Sequence, residues 1–253
     1  MEYRLLGKTN LKVSRLGIGL VKIGNEEMLT QLSKSDLLLN TALDSGINFL
    51  DTAACYGNSE EVIGKTVSHR RSEYVLASKA GHSIEGHKSE PWSYETIVTS
   101  VERSLKRMKT EYLDIIQLHT CDLQTLAKGD VIDALQHLKT TGKTRFIGYS
   151  GDEDAAEWAV KSKIFDTLQT SLNLVDQHSL RYLGEARRNN MGVIIKRPIA
   201  NATWDSKITE NNAPNSYVNR AKQMQSLGQI IDSPNSYHEM ALGFVLSNHE
   251  VDT

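Results

Sequence analysis

Short apolar runs and amphipathic stretches take turns along almost the whole chain, and this alternation constrains the fold more than any other feature. Runs of strand length lie at Leu16–Gly19, Ile47–Asp51, Tyr74–Lys79, Leu113–His119, Arg145–Tyr149, Thr167–Gln169 and Val193–Lys196. Between them stand segments of helical periodicity at Ser35–Ser45, Ser59–Val67, Tyr94–Met108, Asp130–Thr140, Glu153–Lys161 and Asp176–Asn189, with Tyr237–Ser247 after the last. A strand followed by a helix and then another strand makes a parallel pair, because the helix carries the chain back to the starting edge. A doubly wound open sheet would alternate in the same way, but no GxGxxG follows the first strand. The 253 residues are close to the size of one (β/α) barrel, so residues 1–253 are expected to form a single barrel domain.

Local signals sharpen the element assignments. In Tyr94–Met108 the residues Ile97, Val101, Leu105 and Met108 form one stripe. In Ser35–Ser45 an apolar face of Leu37, Leu38, Ala42 and Leu43 is expected, with Gly46 past the end. Glu60 and Glu61 stand in the first turn of Ser59–Val67, where acids suit the helix dipole. The opening YRLLGKTNLKVSRLGIG has two short apolar stretches around a turn-rich GKTN, which predicts an N-terminal β-hairpin. Asn201–Ser216 is polar and is expected to be a long loop.

Composition closes off several classes. A net charge of −2 gives no basic field for nucleic acid or an anionic membrane surface. No apolar run approaches the ~20 residues that span a bilayer, and the first residues lack the apolar stretch of a signal peptide. Two cysteines, Cys55 and Cys121, make no disulfide framework and suit a reducing, cytoplasmic setting. There is no CxxC and no HExxH, so no metal site is expected; His82 and His87, in the loop Ala80–Trp92, are too few to argue otherwise. Nothing in the sequence fixes an oligomeric state.

Four polar residues sit at or just past the ends of three consecutive apolar runs: Asp51 after "NFL", Tyr56 five residues on, Lys79 after "VLAS" and His119 after "LDIIQL". A parallel barrel gathers its strand C-termini on one face, and its active sites lie there. Taken singly, each has an ordinary explanation: a loop-capping Asp, a packed Tyr, a paired Lys, a hydrogen-bonded structural His. Together they equip a site for proton transfer. A phenol titrates near pH ~10, and a neighbouring ammonium would lower that value. Lys79 is the expected tuning cation, Asp51 its holder, and a neutral His119 the hydrogen-bond partner of a substrate carbonyl. The set lacks an evident nucleophile or metal ligand group, which favours reduction or isomerisation over hydrolysis.

These residues lie within the segment GINFLDTAACYGNSEEVIGK, which resembles the aldo-keto reductase signature; VLASK, LDIIQLH and GKTRFIGYSG follow it in the family's order and spacing. The resemblance runs from the opening hairpin to the last helix. It implies a (β/α)8 TIM barrel that reduces aldehydes or ketones with NADPH, or alternatively NADH. By position it makes Asp51, Tyr56, Lys79 and His119 the catalytic set, with Tyr56 as general acid.

It also assigns cofactor contacts to Ser150, Gly151 and Gln169, with Gly151 standing where relatives have Asn and Asp152 beside it as an acceptor. Lys196 and Arg197 replace the run that in relatives carries an aromatic residue stacked on the nicotinamide. They are expected to meet pyrophosphate, with Trp204 a candidate replacement for the lost stacking. Relatives continue into an eighth strand and an adenosine-gripping tail where this chain reads SNHEVDT, so strand eight and the C-terminal tail are expected to be missing here. Two rival readings remain at this level: a non-catalytic nicotinamide-binding or redox-sensing subunit of the same fold, and a cofactor-dependent oxidoreductase acting on a sugar or sugar derivative in the oxidising direction.

Overall fold

A computed structural model describes residues 1–83, 88–205, 214–228, 231–234 and 236–253. Two antiparallel strands open it, β1 (Tyr3–Leu5) and β2 (Lys12–Ser14), paired Tyr3 to Ser14. Seven parallel strands follow: β3 (Ile18–Gly19), β4 (Phe49–Asp51), β5 (Val75–Ala80), β6 (Leu113–His119), β7 (Thr144–Ser150), β8 (Thr167–Ser171) and β9 (Gly192–Lys196). They pair strictly in sequence order, from β3 to β9. The helices are α1 (Glu26–Thr30), α2 (Leu32–Asp44), α3 (Ser59–Thr66), α4 (Tyr94–Met108), α5 (Leu123–Lys128), α6 (Asp130–Thr140), α7 (Glu153–Ser162), α8 (Leu180–Arg188), α9 (Asn215–Ser226) and α10 (Tyr237–Ser247). Consecutive parallel pairing without strand exchange is barrel topology, and the molecule is a nearly closed (β/α)8-type barrel with an N-terminal hairpin, as expected from the sequence.

Three clusters divide the core among the described residues, the third around Trp204 and Tyr217. The largest lies between strands and helices and includes Leu50, Leu76, Ile97, Val101, Ile116 and Leu135. The second fills the barrel's interior: Leu6, Leu11 and Val13 of the hairpin region meet Phe49, Val75, Ala77, Ile115 and Ile194. The hairpin therefore plugs the barrel by burying apolar side chains that neither strand could bury alone. All six residues of β5 are buried, which explains why its sequence does not alternate.

The chain's last residues run beside β9. Ile195 N–H donates to the Thr253 carbonyl at 2.8 Å, Asp252 N–H to the Val193 carbonyl at 3.0 Å, and the Arg15 guanidinium holds the Val251 carbonyl. The Asp252 carboxylate in turn accepts from Val193 N–H at 3.0 Å. Residues 251–253 thus occupy the place along β9 where an eighth strand would begin.

Several local expectations are corrected. The inward face of α2 is Ser35, Leu39, Ala42 and Leu43, while Leu37 and Leu38 point to solvent. The i, i+3, i+4 set built on Leu39 is the one that reaches the core, and Leu37 lies most of half a turn away from it. The helix expected from Asp176 begins at Leu180, because Asp176 is bridged to Asn173 and accepts from the Tyr217 hydroxyl at 2.6 Å. The end of the expected Asn201–Ser216 loop belongs instead to α9, whose few buried residues, Tyr217, Val218 and Ala221, leave little periodic signal. Residues 206–213 of that loop lie outside the described residues. Helices α1 and α5, of five and six residues, were too short to show a period.

Candidate active site

The C-terminal strand ends bring the four expected residues together. Lys79, almost wholly buried, donates to Asp51 Oδ2 at 2.6 Å and to the Thr52 carbonyl at 2.9 Å. A strand buried along its whole length tolerates this ammonium because a carboxylate meets it at hydrogen-bond distance. Its Nζ also lies 5.1 Å from the centroid of the Tyr56 ring, within cation–π range. Tyr56 and His119 meet edge to face, with ring centroids 5.5 Å apart. Gln117, which sequence reading passed over, directs Nε2 toward Asp51 Oδ1 at 3.5 Å. Its signal was its position two residues before His119, on the same face of β6.

The turn carrying Tyr56 is built against a second loop. Asn58 N–H donates to the Gly24 carbonyl at 2.9 Å, and Ser59 N–H to the Tyr56 carbonyl at 3.0 Å. Gly57 adopts φ of 52°, and a Cβ on Gly24 would overlap the Tyr56 carbonyl. Glycine at both positions is what lets the two backbones touch, and this contact sets where the phenol emerges.

The electrostatics differ in one respect from the sequence expectation. Burial, with Asp51 adding to it, pushes the Tyr56 phenol above its ordinary value, where the sequence predicted that Lys79 would bring it down. The reason is the 2.6 Å pair: Asp51 offsets the charge of Lys79 as the phenol experiences it, so desolvation prevails. Burial also holds His119 low, at about 3, with Lys79, His82 and Lys196 adding repulsion. His119 is therefore neutral at physiological pH.

On the opposite side of the same face, Ser150 donates to Gln169 Oε1 at 2.7 Å, and both side chains are buried. Gly151 is fixed by its neighbour: Tyr149, buried in the layer between strands and helices, donates to the Cys121 carbonyl at 2.6 Å and would overlap any Cβ at position 151. Position 151 thus offers no side-chain amide. Asp152 does not replace it. Its carboxylate accepts from Ser171 N–H at 2.7 Å and Thr170 Oγ1 at 3.0 Å, and pairs with Lys196 at 3.0 Å and Arg197 at 3.6 Å. Burial pushes Asp152 up, but Lys196 and these hydrogen bonds outweigh it and leave the carboxyl below its usual range. Burial lowers Lys196 in turn. Both cations that the sequence offered to pyrophosphate are therefore tied to one carboxylate, and Arg197 also donates to Ser171 Oγ at 3.1 Å. Trp204 is not in the mouth. It is buried among Val175, Ala200, Tyr217 and Ala221, stacked with Tyr237 at 5.8 Å.

A barrel of this topology, with a buried Lys–Asp pair, a phenol and a neutral imidazole on its C-terminal face, belongs to a defined class. The aldo/keto reductase family model matches residues 15–253, and the chain belongs to that family. Among curated relatives, an uncharacterized oxidoreductase of Bacillus subtilis, YqkF, is 31% identical over 82% of this chain and 68% of its own length. The L-galactose dehydrogenase of Arabidopsis thaliana is 37% identical over 60% of this chain; the match spans 49% of that enzyme. A rice protein named "Probable voltage-gated potassium channel subunit beta" is 26% identical over 85% of this chain and 69% of its own. Among solved structures, aldo-keto reductase AKR11C1 from Bacillus halodurans superposes with a TM-score of 0.84 at 26% identity, over 100% of this chain and 84% of that one. Family and relatives together make the chain an oxidoreductase by class. Among the described residues no helix is long and apolar enough to cross a membrane.

Proposed function

We propose that this chain reduces small aldehydes or ketones to alcohols, with Tyr56 as the proton donor and a nicotinamide cofactor, NADPH or NADH, as the reductant. The observation that carries the reading is the convergence of Asp51, Lys79, Tyr56 and His119 at the ends of β4 to β6, through the 2.6 Å ion pair, the 5.1 Å cation–ring contact and the 5.5 Å ring contact. A bound nicotinamide would supply hydride to the carbonyl carbon. The chain's own residues handle the rest. Neutral His119 donates a hydrogen bond to the carbonyl oxygen and orients it. Tyr56, protonated across the physiological range, gives its proton to that oxygen as negative charge develops there. The phenolate left on Tyr56 regains its proton from solvent, and Lys79, paired with Asp51, stays 5.1 Å from the centroid of its ring.

The residues that would hold the cofactor fit unevenly. The buried Ser150–Gln169 pair suits a carboxamide, as both carry donor and acceptor capacity. Lys196 and Arg197 would serve phosphate oxygens by exchanging Asp152 for them. The test is a fluorescence titration of NADPH and then NADH into the chain, followed by turnover of simple aldehydes. Saturable binding with carbonyl-dependent oxidation of the cofactor supports the reading. Binding without turnover favours the non-catalytic reading, to which channel-subunit relatives lend weak support. Turnover only with a sugar or sugar derivative and oxidised cofactor favours the oxidising enzyme, the reading that the name of the relative L-galactose dehydrogenase suggests.

A further inference from the structure

The loops after β4 and β5 and the last residue of β6 bring three metal-binding side chains to one point at the site's mouth. Cys55 Sγ lies 3.3 Å from His119 Nδ1. The His82 ring stacks on the His119 ring, with centroids 4.7 Å apart and planes within 10°. One donor atom from each of the three residues falls within 4.8 Å of the others. Positions 55, 82 and 119 are far apart in sequence and match no metal motif, so only the barrel's convergence creates the group.

We infer that Cys55, His82 and His119 form a binding site for a thiophilic divalent cation of the zinc class. The donor set argues for that class, since one thiolate and two imidazoles suit zinc and its neighbours, whereas calcium and magnesium seek oxygen. The geometry fits as well. Around tetrahedral zinc, sulfur and nitrogen donors lie roughly 3.4–3.6 Å apart, given Zn–S of about 2.3 Å and Zn–N of about 2.0 Å. The Cys55–His119 pair, at 3.3 Å, is within a few tenths of an ångström of that spacing, and His82, exposed to solvent, closes the triangle by a movement on the order of 1 Å together with a tilt of its ring out of the stack.

His82 is supported from behind. Trp92 meets it edge to face at 5.4 Å, Trp92 N–H donates to the Gly81 carbonyl at 2.8 Å, and His82 Nε2 lies 2.9 Å from the His119 carbonyl. The nearby Lys79 charge is offset by Asp51, and the Cys55 thiolate offsets part of the ion's own. On binding, the Cys55 thiol gives its proton to buffer, three protein bonds form to the metal, and water takes the fourth position. No electron is transferred. The ion engages the ring of His119, so it would exclude the carbonyl substrate. This consequence rests on the reductase reading, whereas the binding itself does not.

The experiment is calorimetric titration of zinc chloride into the chelator-free chain, beside Cys55→Ser and His82→Gln variants whose folding is checked by circular dichroism. Cobalt(II) spectra of the same three proteins accompany it. The expected result is one ion per chain, a thiolate-to-cobalt charge-transfer band, loss of that band in Cys55→Ser, and affinity weakened by more than 10-fold in each variant. No zinc binding, equal affinity in all three proteins, or a cobalt spectrum without the thiolate band would overturn the site. No turnover is measured, so failure of the reductase reading leaves the outcome intact.

Discussion

The two sides of the barrel's C-terminal face behave differently. On the side of β4, β5 and β6, the residues singled out from sequence meet as expected, around a buried Lys79–Asp51 pair. On the side of β7, β8 and β9, the residues offered to a cofactor are engaged with one another: Ser150 with Gln169, and Lys196 and Arg197 with Asp152. Proton transfer needs particular side chains at strand ends, and strand ends are readable. Grip on a dinucleotide depends on which neighbour wins each cation, which is decided by loop backbone and burial.

The sharpest way to break this comparison is Tyr56→Phe. If the first side does the chemistry, carbonyl turnover falls by about 10²-fold or more while nucleotide affinity, read by fluorescence titration, stays within about 2-fold. Retained turnover would remove Tyr56 from its role. Next comes Lys79→Met, which strands Asp51 in the interior. Urea unfolding should show a loss of about 3–5 kcal/mol, and an added Asp51→Asn change should recover part of it.

Gly151→Asn tests the second side, since it restores the family's residue against the Tyr149 hydroxyl. It should cost about 1–3 kcal/mol by overpacking and bring no gain in nucleotide affinity. A tighter nucleotide would show that Tyr149 yields. Asp152→Asn frees Lys196 and Arg197, and NADPH should bind a few-fold more tightly at low salt, with the gain shrinking as ionic strength rises.

The smallest effect concerns pH. His119 is held at about 3 against roughly 6.5 in the unfolded chain, so between these values the unfolded state binds the extra proton. Its contribution to stability is full above about pH 6.5 and is lost as pH falls toward 3. Unfolding free energies measured by urea across that window should therefore fall less steeply with acid in His119→Gln than in the unaltered chain. Identical slopes would mean that His119 titrates normally. With the phenol raised as well, kcat/KM should carry no limb from His119 or Tyr56 between about pH 5 and pH 9.

Tyr94–Met108, Asp130–Thr140 and Tyr237–Ser247 were legible to the residue, the first because its cap and its period agree; Ser93 and Ser236 each accept from the N–H three residues on. The β6 run Leu113–His119 was equally plain because burial on both faces leaves it apolar to its polar end. Helix α9 was hidden by its polarity, and the phase of α2 by having more leucines than one face can hold.

By itself, then, the sequence determined the strand–helix alternation and the polar strand ends at Asp51, Lys79 and His119, because periodicity and strand-end polarity are local properties of the chain; the closed barrel and the grouping with Tyr56 were expected from the resemblance to aldo-keto reductases. Tertiary structure alone decided the upward direction of the Tyr56 phenol, the capture of Lys196 and Arg197 by Asp152, the burial of Trp204 against Tyr237, and the meeting of Cys55, His82 and His119. Each of these is a competition among groups distant in sequence for one small volume, and its outcome is set by burial and distance, which no linear spacing records.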